Sequence, residues 1–263
     1  MLSYQHAYHA GNKADVHKHG TLSVLLTRMK AKAKPMTYME SHAGRALYDL
    51  TAIESLKTGE AEQGILKCLQ SGNPPMGHPY RTVLDKICKK HGDTAYPGSP
   101  LLANSFLDDQ DEIHLMELHP AEYASLRDAM HWTKAHVHHR DGFEGVLSLA
   151  PPRPPHPRRG LVFIDPSYEM KTEYADIAAF IKTLHAKWAE AVIVLWYPVL
   201  EAGLHYEMTD TLEAAGLKDI TRREVRFKDR NTNHRLLGSG MFIINTPYGT
   251  DEAMDEVEGW FSG

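Results

Sequence analysis

The residues with the clearest chemical potential are Asp165-Pro166-Ser167-Tyr168, which directly follow an apolar run at residues 161–164. The run predicts a buried strand, and the four residues place a carboxylate, a rigid turn and an aromatic ring at its C-terminal tip. Open α/β sheets bind ligands at such tips. The carboxylate and the Pro166 carbonyl can accept hydrogen bonds from an amine, and the Tyr168 ring can stack on a planar base. The motif therefore predicts a site for a flat substrate that carries an amine.

This order of residue types is typical of enzymes that methylate exocyclic amines on adenine. The N6 lone pair of adenine is delocalised into the ring, so such an enzyme must hold both N–H bonds with acceptors while a methyl donor approaches. The base must also leave its helix or loop to reach the pocket. Asp165, Pro166 and Tyr168 are thus candidate catalytic residues. Taken alone, the motif fits equally a plain turn beside a buried tyrosine.

Length and composition limit the remaining choices. The chain of 263 residues, 42% of them hydrophobic, is long enough for one large α/β domain. The longest apolar stretch, residues 191–197, is far shorter than the roughly 20 residues that span a bilayer, and the first residues do not resemble a secretory signal. Cys68 and Cys88 fit neither zinc spacing nor a redox pair. We expect a soluble, cytoplasmic protein with two free thiols.

Charge is distributed unevenly along the chain. The net charge is −5, yet Asp15 is the only acid before residue 35, where six lysines and arginines occur. Two further basic clusters follow: Arg153, Arg158 and Arg159; and Arg222, Arg223, Arg226, Lys228, Arg230 and Arg235. Segregated charge of this kind creates a local positive surface on an acidic protein, so a nucleic-acid partner is compatible with the total.

The hydrophobic pattern predicts a doubly wound, Rossmann-like α/β fold. Strands are predicted at residues 36–40, 112–118, 136–140, 161–164, 191–197, 220–227 and 241–245, and helices at residues 14–34, 121–130, 174–189 and 204–215. Strands that alternate with helices imply a mainly parallel seven-stranded sheet. Residues 52–92 are too long for a simple connection and predict an inserted helical subdomain, which leaves residues 1–51 and 93–263 for the Rossmann-like domain.

Acids stand at three of the predicted strand tips. Glu117 ends the second strand and can accept hydrogen bonds from the ribose hydroxyls of a nucleoside cofactor. Asp141, followed by Gly142, comes after the third strand and can bind an adenine amino group, and Asp165 ends the fourth. The turn at residues 42–44 follows the first strand. Because a doubly wound sheet collects its tips in one crevice, these residues predict one ligand site.

A series of ordered motifs extends over essentially the whole chain, at residues 1–6, 9–19, 42–44, 96–100, 117–120, 141–143, 165–172, 195–198 and 238–241. In these motifs the sequence resembles the RlmJ family of S-adenosylmethionine-dependent adenine-N6 methyltransferases, which act on 23S ribosomal RNA. Two positions depart from the family pattern. Ser167 stands where a second proline is usual, and Arg45-Ala46 stands where the family tends to have glycine.

The resemblance implies particular roles for particular residues. It implies that S-adenosylmethionine is bound by His19, His42, Ser99, Glu117, Asp141, Gly142 and Asp165. It also implies that Asp165 is the catalytic acceptor and that Tyr4, His6 and Lys18 meet the RNA. We expect 23S ribosomal RNA with a loop or unpaired adenine as the partner, a monomeric enzyme, and no membrane or metal.

Three alternatives compete with this interpretation. Metal catalysis would need ligands from the histidines at 17, 19, 136, 138 and 139, but the first two point apart on a helix and the others lack an obvious acid or cysteine complement. A DNA adenine-N6 methyltransferase would usually need a sizeable target-recognition domain. A non-catalytic RNA-binding protein on the same fold would show a broken acceptor site, whereas Asp165, Pro166 and Tyr168 are intact. RNA methylation is favoured.

Overall fold

The computed structural model describes residues 4–227 and 236–262. Its helices and strands, in chain order, are α1 (Lys13–Lys30), β1 (Thr37–Glu40), β2 (Leu47–Asp49), α2 (Ile53–Thr58), α3 (Lys67–Gln70), α4 (Pro79–His91), β3 (Ala95–Pro97), α5 (Ser99–Asn104), β4 (Glu112–Glu117), α6 (Pro120–Met130), β5 (His136–His139), α7 (Gly142–Leu149), β6 (Gly160–Ile164), α8 (Glu173–Lys187), β7 (Val192–Leu200), α9 (His205–Glu213), β8 (Thr221–Arg226), β9 (Leu236–Ile244) and α10 (Asp251–Gly259). A 3-10 turn, His6–Tyr8, precedes α1, and a π-helical turn, Glu62–Leu66, precedes α3.

A seven-stranded sheet has the order β5-β4-β1-β6-β7-β9-β8. The first five strands of this order are mutually parallel, whereas β9 runs antiparallel to both β7 and β8. Every residue of β1 and β6 is buried, because helices cover both faces of the central strands. The predicted doubly wound, mainly parallel sheet of seven strands is confirmed.

The first helix is buried on almost every side. It packs against β9, α4, α5 and α10, and 14 of its 18 residues are buried, including the polar side chains of His17, Lys18 and His19. The helix ends at Lys30 and not at residue 34 as predicted. Met29 is its last buried apolar residue and residues 31–35 are exposed, so continued helix would bury nothing.

Several elements have weak sequence signals and were not predicted. The strands β2 and β3 form an antiparallel ribbon, and α5, α7 and α10 are short helices. In α7, Gly142 and Gly145 lower the helix propensity of the segment. Between β2 and β3 the chain forms α2 to α4, and Tyr80 and Ile87 of α4 join the same hydrophobic core as α1. That residues 52–92 form a separate subdomain stays a prediction.

Both cysteines are free thiols, as predicted. Among the described residues, no helix combines the length and the apolar character that crossing a membrane requires.

Candidate active site

The C-terminal tips of β1, β4, β6 and β7 open on one cleft of about 1580 Å³. Every residue predicted for catalysis, cofactor binding or RNA contact lines this cleft: Tyr4, His6, Lys18, His19, His42, Ser99, Glu117, Asp141, Gly142, Asp165, Pro166 and Tyr168. The ends of β1, β4, β5 and β6 supply part of the set, α1 with the segment before it supplies Tyr4, His6, Lys18 and His19, and Ser99 begins α5. The structure thus brings the residues together, while their individual roles stay predictions.

Asp165 lies directly after β6 with its carboxylate fixed at one oxygen. Oδ2 accepts a hydrogen bond from Nζ of Lys18 at 2.6 Å. Oδ1 has no hydrogen-bond donor within residues 4–227 and 236–262, and the side chain is 12% exposed, toward the cleft. One oxygen is therefore anchored and the other is open to a ligand that donates a hydrogen bond.

Lys18 is a buried cation between two carboxylates. Its Nζ lies 2.6 Å from Asp165 and 2.9 Å from Asp15, and 5.1 Å from the ring centroid of Trp196. Burial disfavours the charge, but the two carboxylates hold the pKa of Lys18 above its ordinary value. The ammonium faces these acids and not the solvent, although the resemblance implies that it meets the RNA. The role of Lys18 in meeting RNA stays a prediction.

The segment before α1 reaches the cleft through Tyr4 and His6. The Tyr4 hydroxyl lies 2.8 Å from Nδ1 of His6, and Nε2 of His6 lies 3.0 Å from Oδ2 of Asp15. The ring of Tyr4 stacks on His9 with centroids 5.6 Å apart and planes 9° from parallel. These contacts tie the segment to α1 beside the Lys18 ammonium. Residues 1–3, which belong to the same sequence motif, lie outside the described residues.

Tyr168 forms an aromatic wall at the tip of β6. Its hydroxyl donates to the carbonyl of Trp196 at 2.8 Å, and its ring centroid lies 4.7 Å from that of Tyr174. The backbone φ of Tyr168 is +55°, in the left-handed region that non-glycine residues rarely adopt. A non-glycine residue keeps this conformation where surrounding contacts stabilise it, and here the contacts with Trp196 and Tyr174 do so. Residues in this conformation are concentrated at functional sites.

Glu117, at the tip of β4, accepts hydrogen bonds from two backbone amides. Its Oε2 accepts from the amide of Gly44 at 2.9 Å, and its Oε1 accepts from the amide of His119 at 2.7 Å. Burial outweighs these hydrogen bonds and raises the pKa of Glu117. Gly44 has φ +62°, and a Cβ there would lie 2.7 Å from the Tyr48 hydroxyl, so the turn requires glycine.

Arg45 and Ala46, one of the two departures from the family pattern, are built into this first turn. Arg45 forms a bidentate pair with Glu122 of α6, with N–O distances of 3.0 and 2.6 Å. Ala46 adopts φ +66°, a left-handed conformation that glycine would adopt without strain. The turn therefore has a defined path that Arg45 fastens to the neighbouring helix.

Asp141 and Gly142 begin α7 at the tip of β5. Oδ1 of Asp141 accepts from the amide of Glu144 at 2.9 Å, as an N-cap does. A Cβ on Gly142 would lie 1.9 Å from the Ser41 carbonyl oxygen, so only glycine lets this helix end approach β1 so closely. Beside it, burial lowers the pKa of His42 to about 4, which leaves that ring neutral at pH 7.

Glu40 is a buried acid behind the cleft that was not predicted from the sequence, and it contacts the cleft residue Ser99. It ends β1 fully buried, accepting hydrogen bonds from the hydroxyls of Ser99 and of Tyr38, the latter at 3.1 Å. Burial, reinforced by Asp165, raises the pKa of Glu40 well above its ordinary range. Its position at the end of a buried strand was a signal, because the other acids were predicted from the same placement.

His19 lies in the cleft wall with 1% of its surface exposed. Its Nδ1 is 3.0 Å from the Tyr96 hydroxyl, which in turn is 2.8 Å from that of Tyr80. Burial lowers the pKa of His19 to about 3. His17, two residues earlier, points elsewhere, with Nδ1 2.9 Å from Oγ of Ser239. Within the described part of the chain, no group of three or more His, Cys, Asp or Glu residues is placed to hold a metal ion.

The third basic cluster is partly neutralised. Arg222 pairs with Glu224 at 2.7 Å and Arg223 with Asp251 at 3.0 Å. Arg226 donates to the Tyr206 hydroxyl at 3.2 Å. Lys228, Arg230 and Arg235 lie outside the described residues. The positive field expected from this cluster is therefore weaker than the count of its arginines suggested.

A seven-stranded sheet in which β9 runs antiparallel to six mutually parallel strands, with acids and an Asp-Pro-Ser-Tyr turn at its tips, is the architecture of a Rossmann-like methyltransferase. Comparison with known proteins gives the family. The sequence profile described as "Ribosomal RNA large subunit methyltransferase D, RlmJ" matches residues 33–263. The chain belongs to the RlmJ family, and the resemblance inferred from its motifs is confirmed.

Individual relatives agree with this assignment. Ribosomal RNA large subunit methyltransferase J of Escherichia coli (strain K12) is 37% identical, over 99% of this chain and 92% of that protein. The protein of the same name from Haemophilus influenzae is 35% identical, over 98% of this chain and 92% of that protein. A crystal structure of a Legionella pneumophila protein superposes with a TM-score of 0.84 at 33% identity, covering 96% of this chain and 94% of the other.

Proposed function

We propose that the protein transfers a methyl group from S-adenosylmethionine to the N6 atom of an adenine in 23S ribosomal RNA. The observation that carries the proposal is the Asp165 carboxylate, anchored at Oδ2 and open at Oδ1, in a cleft that also holds Glu117. The names of the curated relatives support large-subunit ribosomal RNA as the substrate class.

The cleft residues fit a nucleoside cofactor. Each Glu117 oxygen accepts one backbone hydrogen bond and keeps a lone pair for a ribose hydroxyl. Gly142, with no side chain, lets the first turn of α7 lie close to the tip of β1, beside Asp141. When bound, S-adenosylmethionine supplies an electrophilic methyl group, so no covalent bond to the enzyme is needed.

The chain's own residues then hold the acceptor base. In this proposal the open oxygen of Asp165 and the Pro166 carbonyl accept the two N–H groups of N6, which directs the nitrogen lone pair toward the methyl group. The ring of Tyr168, fixed by its hydrogen bond to Trp196, offers a surface on which the base stacks. These contacts orient the amine in the reacting geometry, so their removal should act on turnover.

The base must be unstacked to enter this cleft, and it is unstacked most easily in a loop or bulge. We therefore infer an RNA hairpin that presents the target adenine in or beside its loop. The proposal also includes that the enzyme is cytoplasmic and acts as a monomer. Size-exclusion chromatography with light scattering tests whether it is monomeric.

Methyl transfer from tritiated S-adenosylmethionine tests the proposal. The substrates are a 23S ribosomal RNA hairpin with an unpaired adenine, the same bases in uninterrupted RNA duplex, and a DNA duplex of equivalent sequence. We expect the hairpin to be labelled fastest, and N6-methyladenosine to be the labelled nucleoside on digestion. Faster labelling of duplex DNA would favour a DNA methyltransferase, and RNA binding without any labelling would favour a non-catalytic binding protein.

A further inference from the structure

Asp15, in the first turn of α1, is a buried carboxylate that joins the segment before the helix to the ion pair of Lys18 and Asp165. Oδ2 accepts from Nε2 of His6 at 3.0 Å and from the amide of Gly11 at 2.8 Å, and Oδ1 lies 2.9 Å from Nζ of Lys18. Only 1% of the residue is exposed. Burial opposes ionisation, but His6 and Lys18 hold the pKa of Asp15 well below its ordinary range. It is therefore an anion inside the protein.

Lys18 is the bridge between Asp15 and Asp165. A lysine ammonium sits on a flexible four-carbon stem and does not fix its own direction. With carboxylates at 2.9 and 2.6 Å on different elements, its position is determined from both ends. If Asp15 lost its charge, the ammonium would pair with Asp165 alone. It could then move onto the open Oδ1 and compete with a substrate amine there.

We propose that Asp15 is a positioning residue, which holds the Lys18 ammonium on Oδ2 of Asp165 and thereby keeps Oδ1 available to the substrate amine. The inference rests on the proposed methyl transfer at Asp165. It assigns to Asp15 an effect on catalysis without contact with the substrate. The same carboxylate holds the preceding segment through His6 and Gly11. Asp15 therefore positions both that segment and, through Lys18, the Asp165 carboxylate.

The variant Asp15→Asn removes the charge with little change of shape. In single-turnover reactions with saturating cofactor and hairpin, we expect the transfer rate to fall by about 10- to 100-fold, the order expected when a reacting group is misplaced by up to 1 Å. The dissociation constant of S-adenosylmethionine, measured by calorimetry, should stay within about twofold, because Asp15 does not hold that ligand.

Asp111 provides a matched control in the same protein. Its side chain is fully buried, and its carboxylate accepts from Nζ of Lys30 at 2.7 Å and from the amide of Met36 at 2.8 Å. It does not line the cleft. Asp111→Asn should therefore lower the melting temperature, as breaking a buried ion pair does, without slowing methyl transfer.

A second background separates positioning from general stability. In the Lys18→Gln enzyme, assayed at high enzyme concentration, adding Asp15→Asn should lower the rate of methyl transfer by less than about threefold. The reason is that the ammonium through which Asp15 acts is absent. An equal loss in both backgrounds, or a transfer rate within twofold of wild type in Asp15→Asn alone, would overturn the inference. A wild-type enzyme that does not methylate the hairpin would instead overturn the proposed function.

If circular dichroism shows that Asp15→Asn does not fold, Asp15→Glu and Asp15→Gln replace it. Glutamate keeps the negative charge beside Lys18, whereas glutamine has the same length without it. The glutamate variant should transfer at least about tenfold faster than the glutamine variant. Equal rates in these two variants would contradict the inference.

Discussion

The amide of Gly44 donates to Oε2 of Glu117 at 2.9 Å, which joins the turn after β1 directly to the tip of β4. Those strands are parallel neighbours in the sheet, so their tips lie side by side. The second Glu117 oxygen is held by the amide of His119 at 2.7 Å, so the carboxylate is fixed before any ligand arrives. A fixed acceptor loses little entropy when a ribose hydroxyl binds to it.

Replacement of Glu117 should weaken cofactor binding. We expect Glu117→Ala to lower the affinity for S-adenosylmethionine by about 1–3 kcal/mol, because the ribose hydroxyls lose their acceptor. Isothermal calorimetry measures this directly. Glu112, at the other end of the same strand, is a matched control whose alanine variant should bind cofactor normally. If both variants bind like wild type, Glu117 has been given the wrong role.

Removal of the Asp165 carboxylate should abolish turnover and spare cofactor binding. Asp165→Ala is expected to fold, since Lys18 keeps Asp15 as its partner at 2.9 Å, and to bind cofactor at most somewhat more weakly. The loss should appear in the rate of tritium transfer. Cys68→Ser and Cys88→Ser should be nearly silent in the same assay, because both thiols lie outside the cleft. Substantial activity in Asp165→Ala would refute the assigned role.

Lys18 and Lys13 should differ in the salt dependence of RNA binding. RNA binding weakens as salt rises, and the salt slope is the slope of the logarithm of the binding constant against the logarithm of the salt concentration. Removing one contact between a lysine and a phosphate of single-stranded RNA lowers the magnitude of this slope by about 0.7. Since the Lys18 ammonium faces two carboxylates, Lys18→Ala should slow turnover without changing the slope. Lys13 also lines the cleft, and Lys13→Ala should flatten the slope. Filter binding over a range of salt concentrations tests this, and a flatter slope in Lys18→Ala would mean that Lys18 meets a phosphate after all.

His17 should make the protein less stable as the pH falls. Burial lowers the pKa of His17 to about 3. The unfolded chain takes up this proton below about pH 6.5, whereas the folded chain takes it up only near pH 3, so the stabilisation is complete above pH 6.5 and declines as the pH drops toward 3. Between pH 7 and pH 5 the loss from this one group is about 2 kcal/mol.

Urea unfolding at the two pH values measures this contribution. His17→Gln should lose about 2 kcal/mol less than wild type between pH 7 and pH 5. His91→Gln, which alters an exposed histidine, should behave like wild type. If His17→Gln and wild type show the same pH dependence, the His17 ring is not held neutral by burial.

The sequence by itself determined the sheet and the acids at its tips. The apolar run at residues 161–164 indicated a buried strand, which placed Asp165 at its C-terminal end. Glu117 and Asp141 were found by the same logic, because strand ends are marked by the change from apolar to polar residues. Parallel strands in a doubly wound sheet then bring these tips to one edge without further information.

Only the tertiary structure decided which polar residues of α1 lie inside. A hydrophobic pattern treats Lys18 and Asp15 as surface residues, and their burial depends on the packing of α1 against β9 and three other helices. Asp165 is 147 residues from Lys18 along the chain. A contact over that separation costs loop entropy and forms only when the rest of the fold has been assembled around it. Local sequence therefore determined the position of Asp165 at the end of its strand, and long-range packing determined that the Lys18 ammonium holds its carboxylate.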